Sequence, residues 1–248
     1  MDFLLNLNWV AVGQIILIDI LLGGDNAIVI ALACRNLPAH LRTKGILWGT
    51  FGAIAIRVVL IAFAVTLLQV SFLKVVGGLL LLWIGVKLLA DDDGGHGDIE
   101  ASDKLMSAIK TIVVADLVMS VDNVIAVASA AEQAGGDHQF ALVVFGILIS
   151  IPIIIWGSTI VLRLMEKFPL IITFGAGLLG YLAGGMIVTD VAVAPWVKEN
   201  MPGLDMIIPG TDIHLSIPSV VGAIFVIAVG HFLAKRRAQT HAGTHPTH

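Results

Sequence analysis

The stretch ILIDILLGGDN, residues 16–26, places three polar side chains inside an apolar run. They are Asp19, Asp25 and Asn26. If this run crosses a bilayer, each carboxylate near its centre costs about 2.5–3.5 kcal/mol on membrane-insertion scales. Polar residues occur at such positions when they pair with one another or line the path of an ion. What this stretch does therefore depends on whether the chain is a membrane protein.

Composition predicts a membrane environment. The chain has 248 residues, of which 58% are hydrophobic and 13% are charged, and its mean hydropathy is +0.98. A soluble domain carries about 25% charged residues. No long basic tract suggests a nucleic-acid partner. The single cysteine, Cys34, excludes an intrachain disulfide and a thiolate metal cluster.

The apolar blocks are each about twenty residues long, which is the length of a membrane-spanning helix. They predict an all-α, polytopic membrane protein with seven transmembrane helices in a single domain, 1–238. A polar tail, 239–248, is expected to be disordered, and the connections 91–104 and 191–215 are expected to be surface loops. The predicted spans are 9–34, 44–68, 72–90, 105–131, 139–163, 169–190 and 216–234.

Lys and Arg residues predict the orientation of these spans. They concentrate in alternate connections, as Arg35, Arg42 and Lys44 do after the first span. The last span is followed by the basic residues 235–237. This distribution predicts an N-terminus outside the cell and a C-terminus in the cytoplasm.

The polar stretch occurs twice. Residues 11–31 read AVGQIILIDILLGGDNAIVIA, and residues 108–128 read AIKTIVVADLVMSVDNVIAVA, at an offset of 97 residues (116 − 19). The two copies lie three spans apart, so they cross the membrane in opposite directions. We therefore predict that spans 1–3 (9–90) and 4–6 (105–190) form an inverted repeat, with the seventh span as an extra element. Secondary transporters are built from such repeats, with the substrate site near the midplane.

The repeated motif supplies only oxygen ligands. Carboxylate and amide oxygens suit hard divalent cations such as Mn²⁺, Mg²⁺ or Ca²⁺. Gly23 and Gly24 weaken the first helix and could free backbone carbonyls as further ligands. Four ionised carboxylates would over-neutralise one dication, so metal binding is expected to be linked to protons. The predicted metal ligands are Asp19, Asp25, Asn26, Asp116, Asp122 and Asn123.

Other polar residues of the spans have simpler interpretations. Arg57 could neutralise an aspartate, gate the site or form a structural ion pair, and the sequence leaves these roles open. Lys87, Asp91 and Asp190 lie near span ends and are predicted to be interfacial. The tail histidines are predicted to be solvated. The motif aspartates could themselves be structural groups that pair across helices.

The two motifs, DILLGGDNA and DLVMSVDNV, together with the seven-span pattern over roughly residues 5–235, resemble the TerC family of integral membrane proteins. This resemblance implies membership of a wider group of inverted-repeat exporters that includes the LysE-type transporters. It implies a role in metal-ion homeostasis, with export of manganese as the expected activity. The leading hypothesis is therefore a protein of the bacterial inner membrane that exports a divalent cation, most of all Mn²⁺, in exchange for protons. The family's metal site would fall on the six residues named above. The metal is substrate here, so no tightly bound cofactor is expected, and a homo-oligomer is left open.

Three other functions are weighed against export of Mn²⁺. Export of another cation or of a basic amino acid is disfavoured, because the motif offers little for an amino-acid carboxylate. An intramembrane aspartyl protease, the enzyme alternative, requires one Asp in each of two neighbouring helices, whereas both Asp recur in both motifs here. The third is a non-transporting scaffold in metal or tellurite stress resistance, in which the aspartates would be dispensable.

Overall fold

The structure is a computed structural model that describes residues 24–63, 70–90, 100–134, 139–201, 203–207 and 214–242, with the single positions 13, 17 and 66. Eight helices and one short pair of strands make up this described part. The elements, in chain order, are α1 (Gly24–Cys34), α2 (Ala39–Ala62), α3 (Leu73–Ala90), α4 (Ala101–Ala134), α5 (Gln139–Lys167), α6 (Leu170–Val188), α7 (Ala194–Asn200), β1 (Asp205–Ile207), β2 (His214–Ser216) and α8 (Ile217–Ala242).

Five of the described helices are long and apolar enough to cross a membrane, which confirms the prediction of a polytopic helical membrane protein. The stretches concerned are Ala39–Ala62, Leu73–Ala90, Gly146–Lys167, Leu170–Val188 and Ile217–Arg237. The helix α1 is apolar but shorter. The helix α4 has 34 residues and carries Asp116 and Asp122 along its length.

Large apolar side chains face outward from these helices. Trp48, Trp83, Trp156 and Phe174 are each more than half exposed in the isolated chain. A water-soluble protein would cover such side chains, whereas a bilayer solvates them. The exposed apolar surface therefore agrees with a lipid environment.

Proline marks the start of several helices. Pro38 is the N-cap of α2, Pro169 precedes α6, and Pro195 lies in the first turn of α7. Proline is tolerated at these places because its missing N–H would have no partner within the helix. These boundaries lie within five residues of the predicted span starts at 44 and 169.

The chain divides into two compact units. The first contains α1, α2, α4 from Leu105 onward and α5 up to Arg163. In this unit a Cβ added at Gly45, Gly49 or Gly52 would meet the side chains of Leu105, Ile112 and Val113, in that order. Residue numbers rise together along both helices, so α2 and α4 run parallel. Small residues in α2 allow this close approach, as they do in many membrane helix pairs.

The helices α1 and α2 run in opposite directions. Cys34, at the end of α1, packs near Gly45 of α2. Asp25, at the other end of α1, interacts electrostatically with Arg57 of α2. Since α2 is parallel to α4, α1 is antiparallel to α4 within the first unit.

The second unit packs α3, α6 and α8 through glycine. A Cβ at Gly180 of α6 would collide with the backbone of Gly222 in α8, and one at Gly184 would collide with the backbone of Pro218. On α3, Gly78 faces Ala183 and Ile187 of α6, and Gly85 faces Ala176 and Leu179. In both comparisons one residue number rises as the other falls, so α6 is antiparallel to α3 and to α8.

Asp190 ties two helices of the second unit together. It follows α6 and is 1% exposed, and its carboxylate accepts backbone N–H groups at the start of α3. The donors are Phe72 and Lys74 at 3.0 Å and Val75 at 3.4 Å, with Ala192 at 2.8 Å closing the loop. Burial opposes ionisation, but the four N–H donors outweigh it and lower the pKa of Asp190. The carboxylate thus caps α3 from a distant part of the chain.

The loop predicted at 191–215 contains the short helix α7 and the strands β1 and β2, which pair antiparallel with Met206 opposite Leu215. At the C-terminal end, α8 continues to Ala242, so residues 239–242 belong to the helix instead of the predicted tail. Lys, Arg, Ala and Gln after the span favour helix, which explains this extension. Residues 91–99 and 243–248 lie outside the described part.

Candidate ion-binding site

The first unit buries a group of polar side chains that we call the polar cluster: Asp25 and Asn26 of α1, Arg57 of α2, and Asp116 and Ser120 of α4. Four of them are at most 5% exposed, and Asp25 is partly buried. An ionised side chain at such depth is stable only when other groups satisfy it. The hydrogen bonds and charges of the cluster therefore decide what it can do.

Arg57, Asp116 and Ser120 form a closed hydrogen-bonded ring, which we call the Arg57 ring. Nη2 of Arg57 donates to Oδ1 of Asp116 at 2.5 Å. Nε of Arg57 donates to Oγ of Ser120 at 3.1 Å, and Oγ of Ser120 donates to Oδ2 of Asp116 at 3.1 Å. Each carboxylate oxygen of Asp116 thus has a partner, and the pair carries no net charge.

Local geometry explains why the ring closes. Asp116 and Ser120 are four residues apart on α4, so they lie on one face, one turn apart. The glycines of α2 allow its backbone to lie close to α4. The long side chain of Arg57 then reaches from α2 to Asp116 and Ser120 on α4. The same approach buries the ring between the two helices.

Asp25 and Asn26 bring α1 to the cluster. Oδ1 of Asp25 accepts the backbone N–H of Asn26 at 2.8 Å. The Asp25 carboxyl also interacts electrostatically with Arg57, favourably, and with Asp116, unfavourably. Two carboxylates from antiparallel helices therefore act on one guanidinium.

The side chain of Asn26 is buried, at 4% exposed. Neither its amide oxygen nor its amide nitrogen has a hydrogen-bond partner among the residues that the structure describes. A buried amide without a partner costs about 1–3 kcal/mol. The amide oxygen of Asn26, beside the Asp25 carboxylate, is therefore available to bind a cation.

The structure describes part of the predicted ligand set. Asp25, Asn26 and Asp116 all belong to the first unit, and the charges of Asp25 and Asp116 interact. Asp122 and Asn123 are part of α4, but their side chains lie outside the described part, and so does Asp19. Within the described ranges, no group of three or more His, Cys, Asp or Glu side chains could hold a metal ion. The six-ligand site stays a prediction.

Two members of the cluster were not predicted as site residues. For Arg57 the sequence left three roles open, and the structure shows a buried ion pair with Asp116. Ser120 occupies the position in the second motif that Gly23 holds in the first. Its spacing of four residues from Asp116 on one helix was the available signal.

The fold and the cluster define a class: a helical membrane protein of several spans with charged side chains buried between its helices. Within this class, the chain belongs to the integral membrane protein TerC family, whose profile matches residues 5–238. This match confirms the resemblance to the family that the two motifs, DILLGGDNA and DLVMSVDNV, indicated.

Relatives cover most of the chain. It is 49% identical to the uncharacterized membrane protein YjbE of Bacillus subtilis (strain 168) over 185 residues, 74% of this chain and 81% of YjbE. It is 25% identical to the uncharacterized membrane protein YceF of the same organism, over 71% of this chain and 70% of YceF. It is also 25% identical to the UPF0053 inner membrane protein YgdQ of Escherichia coli (strain K12), over 65% of this chain and 73% of YgdQ. No solved structure matches the chain significantly.

Proposed function

We propose that this protein is a secondary transporter that exports a divalent metal cation, Mn²⁺ first among them, from the cytoplasm. The observation that carries the proposal is the buried amide of Asn26, without a described partner, beside the carboxylate of Asp25. Asp116 lies in the same unit and within the electrostatic reach of Asp25. Oxygen groups buried in this way are costly unless they pair with other polar groups or bind an ion.

The ligand chemistry favours a hard dication. Carboxylate and amide oxygens are the usual ligands of Mn²⁺, Mg²⁺ and Ca²⁺. The amide oxygen of Asn26 would complete its bonding with the ion, which removes the cost of its burial. In this proposal Asp19, Asp122 and Asn123 supply the remaining ligands.

Two features of the helices support the inverted repeat that the proposal needs. The helices that carry the two motifs, α1 and α4, are antiparallel, and so are the third helices of the two predicted repeats, α3 and α6. Each of these pairs lies within one compact unit. An inverted repeat relates its halves by a two-fold axis in the membrane plane, and equivalent helices then run in opposite directions. We propose a seven-span layout on this basis, with the N-terminus outside and the C-terminus in the cytoplasm.

Charge balance supports coupling to protons. The four motif aspartates carry a charge of −4 when ionised, and Arg57 offsets one of them. Three carboxylates and one dication leave a charge of −1, which one proton neutralises. Exchange of the dication against protons would therefore keep the buried site near neutrality in both halves of the cycle.

Reconstitution tests the proposal. The purified protein is placed in liposomes with a metal-sensitive dye and a pH-sensitive dye, and a panel of dications is applied together with arginine and lysine. We expect Mn²⁺ flux well above that of protein-free liposomes, accompanied by proton movement in the opposite direction. If lysine or arginine moves and no dication does, the amino-acid exporter is the better function. If nothing moves through correctly folded protein, the scaffold function replaces transport.

A further inference from the structure

We propose that Arg57 is a tethered cation that occupies the Asp116 carboxylate when the substrate ion is absent and competes with that ion for it. This inference rests on the proposed function, because it assigns Arg57 a role at the same site. It goes beyond that function by stating what holds the site before the ion arrives and what expels the ion afterwards.

The geometry of the Arg57 ring supports exchange of partners. Two of the hydrogen bonds that hold Arg57 go to side chains of α4, the Asp116 carboxylate and the Ser120 hydroxyl. Side chains can rotate away from each other without a change in the backbone. A carboxylate fixed by backbone N–H groups, such as Asp190, lacks this freedom.

Electrostatics makes the two cations exclude each other. A guanidinium cannot lose its proton in a protein, so Arg57 stays charged throughout. The charges of Arg57 and Asp116 both interact with the Asp25 carboxyl. A dication held by Asp25 would therefore interact with both of them as well. Repulsion between two cations at low dielectric is strong. Binding of the ion therefore pushes Arg57 off Asp116, and return of Arg57 pushes the ion out.

The sequence makes this device asymmetric. The position 97 residues after Arg57 is Ile154, an apolar residue buried in α5. The first repeat thus holds the arginine and the second holds its aspartate. In alternating access one repeat rocks against the other, so the distance between Arg57 and Asp116 differs between the two states and the pair is not equally strong in both. That inequality gives the ion different affinities on the two sides, which export requires.

The competing explanation is that Arg57 and Asp116 form a purely structural ion pair. The affinity of the protein for Mn²⁺ distinguishes this explanation from competition between Arg57 and the ion. The experiment measures Mn²⁺ binding to the full-length protein in detergent by calorimetry, and Mn²⁺ flux in liposomes, for the wild type and for Arg57→Gln. We expect Arg57→Gln to bind Mn²⁺ about tenfold more tightly, a typical coupling between sites. The same variant should transport more slowly at saturating Mn²⁺, because nothing expels the ion.

Ser120→Ala provides a second test that keeps every charge. Loss of this hydroxyl removes two of the three bonds of the Arg57 ring, so the guanidinium competes less well. We expect Mn²⁺ affinity to rise about threefold, less than for removal of the arginine itself. This variant decides the matter if Arg57→Gln fails to fold. Arg163→Gln, at an exposed position of α5, is the matched control and should bind and transport as the wild type does.

The outcomes are distinguishable. Unchanged or weaker Mn²⁺ binding in a folded Arg57→Gln or, failing that, a folded Ser120→Ala overturns the competition and leaves Arg57 as a structural partner of Asp116. Such a result leaves the proposed function intact, provided that the wild type binds and moves Mn²⁺. A wild type that neither binds nor moves any dication overturns the proposed function and this inference with it.

Discussion

Each of the two compact units buries a carboxylate between helices, and the two carboxylates are held differently. Asp190, in the second unit, accepts only backbone N–H groups among the residues that the structure describes, and these belong to the start of α3 and to its own turn. Asp116, in the first unit, is held by the side chains of Arg57 and Ser120. Backbone donors are fixed by the fold, whereas side-chain donors can leave. The difference separates a carboxylate that holds the protein together from one that can change partners.

The surroundings of the two carboxylates differ in the same way. Around Asp116 the cluster also contains the partly buried Asp25 and the Asn26 amide, whose atoms have no partner in the described part of the chain. The helices of the second unit touch through glycine against backbone. The first unit therefore has polar capacity left for a ligand, and the second is closely packed.

The largest expected effect is the loss of transport in Asp25→Asn. This change is nearly isosteric and removes the one carboxylate of the described cluster whose charge is not already paired at close range. We expect Mn²⁺ flux in liposomes to fall to the level of protein-free vesicles, with the protein still folded. Cells that depend on the protein for Mn²⁺ tolerance should accumulate the metal.

Asp103→Asn is the control for this prediction, since Asp103 is an exposed acidic residue in the first turn of α4. It should transport normally. Normal Mn²⁺ flux through Asp25→Asn at wild-type protein levels would show that the polar cluster is not the transport site.

A second comparison concerns the two partners of the ion pair. Asp116→Asn removes the carboxylate that is hydrogen-bonded to the buried Arg57 guanidinium, and breaking a buried ion pair in this way costs about 3–5 kcal/mol. Arg57→Gln should cost less, because a carboxyl can neutralise itself by taking up a proton and an arginine cannot. Thermal unfolding in detergent should therefore rank the variants as wild type, Arg57→Gln, then Asp116→Asn.

The double variant Arg57→Gln/Asp116→Asn contains no buried charge at this position and serves as the control. We expect it to recover most of the stability that Asp116→Asn loses, but not to transport Mn²⁺, because the predicted ligand Asp116 is absent. Equal losses in the two single variants would mean that the ring is stabilised by its shape and hydrogen bonds and not by its charges.

Asp190→Asn should destabilise the second unit by about 2 kcal/mol, since charge-assisted hydrogen bonds contribute about 1.5–3 kcal/mol. The pKa of Asp190 is lower in the folded protein than in the unfolded chain. Its stabilising effect is therefore complete above the ordinary aspartate value of about 3.9 and is lost as the pH falls through the lower folded value. Unfolding of wild type and variant in detergent across this pH range measures the difference.

Around neutral pH the difference in the free energy of unfolding between wild type and Asp190→Asn should be constant. In acid this difference should disappear. Glu199 is exposed on α7, and Glu199→Gln should have the same free energy of unfolding as the wild type at every pH. Transport by Asp190→Asn at a temperature where it is folded should be normal. Loss of transport under those conditions would remove the distinction between the fixed and the exchangeable carboxylate.

Sequence predicted those parts of this molecule that depend on length, polarity and repetition. The predicted span 72–90 and the helix Leu73–Ala90 nearly coincide. Polar residues on both sides of an apolar run fix where a membrane-spanning helix begins and ends. The two repeated motifs were sufficient to predict the family, whereas the metal site that they suggest stays a prediction. Hydropathy carries no information about which distant group satisfies a given charge.

Asp190 shows that limit most clearly. It was interpreted as an interfacial side chain because it ends an apolar run, yet its partner Phe72 lies 118 residues away in the chain. Arg57 and Asp116 are 59 residues apart, and the pairing depends on the close approach of α2 and α4 at Gly49 and Gly52. Tertiary contacts of this kind decide whether a buried charge is structural or functional, and they had to be observed.

The smallest expected effect tests packing. Gly180→Ala would place a methyl group against the backbone of Gly222, which cannot turn aside, whereas Gly52→Ala would meet the Val113 side chain, whose Cγ2 can. Alanine favours helix over glycine by about 1 kcal/mol at both sites. We expect Gly180→Ala to be destabilised by about 1–3 kcal/mol through overpacking, and Gly52→Ala to stay within about 1 kcal/mol of the wild type. Thermal unfolding in detergent measures both. An equal loss at Gly52 would mean that the first unit is packed as rigidly as the second, and Arg57 would then lack the room to leave Asp116.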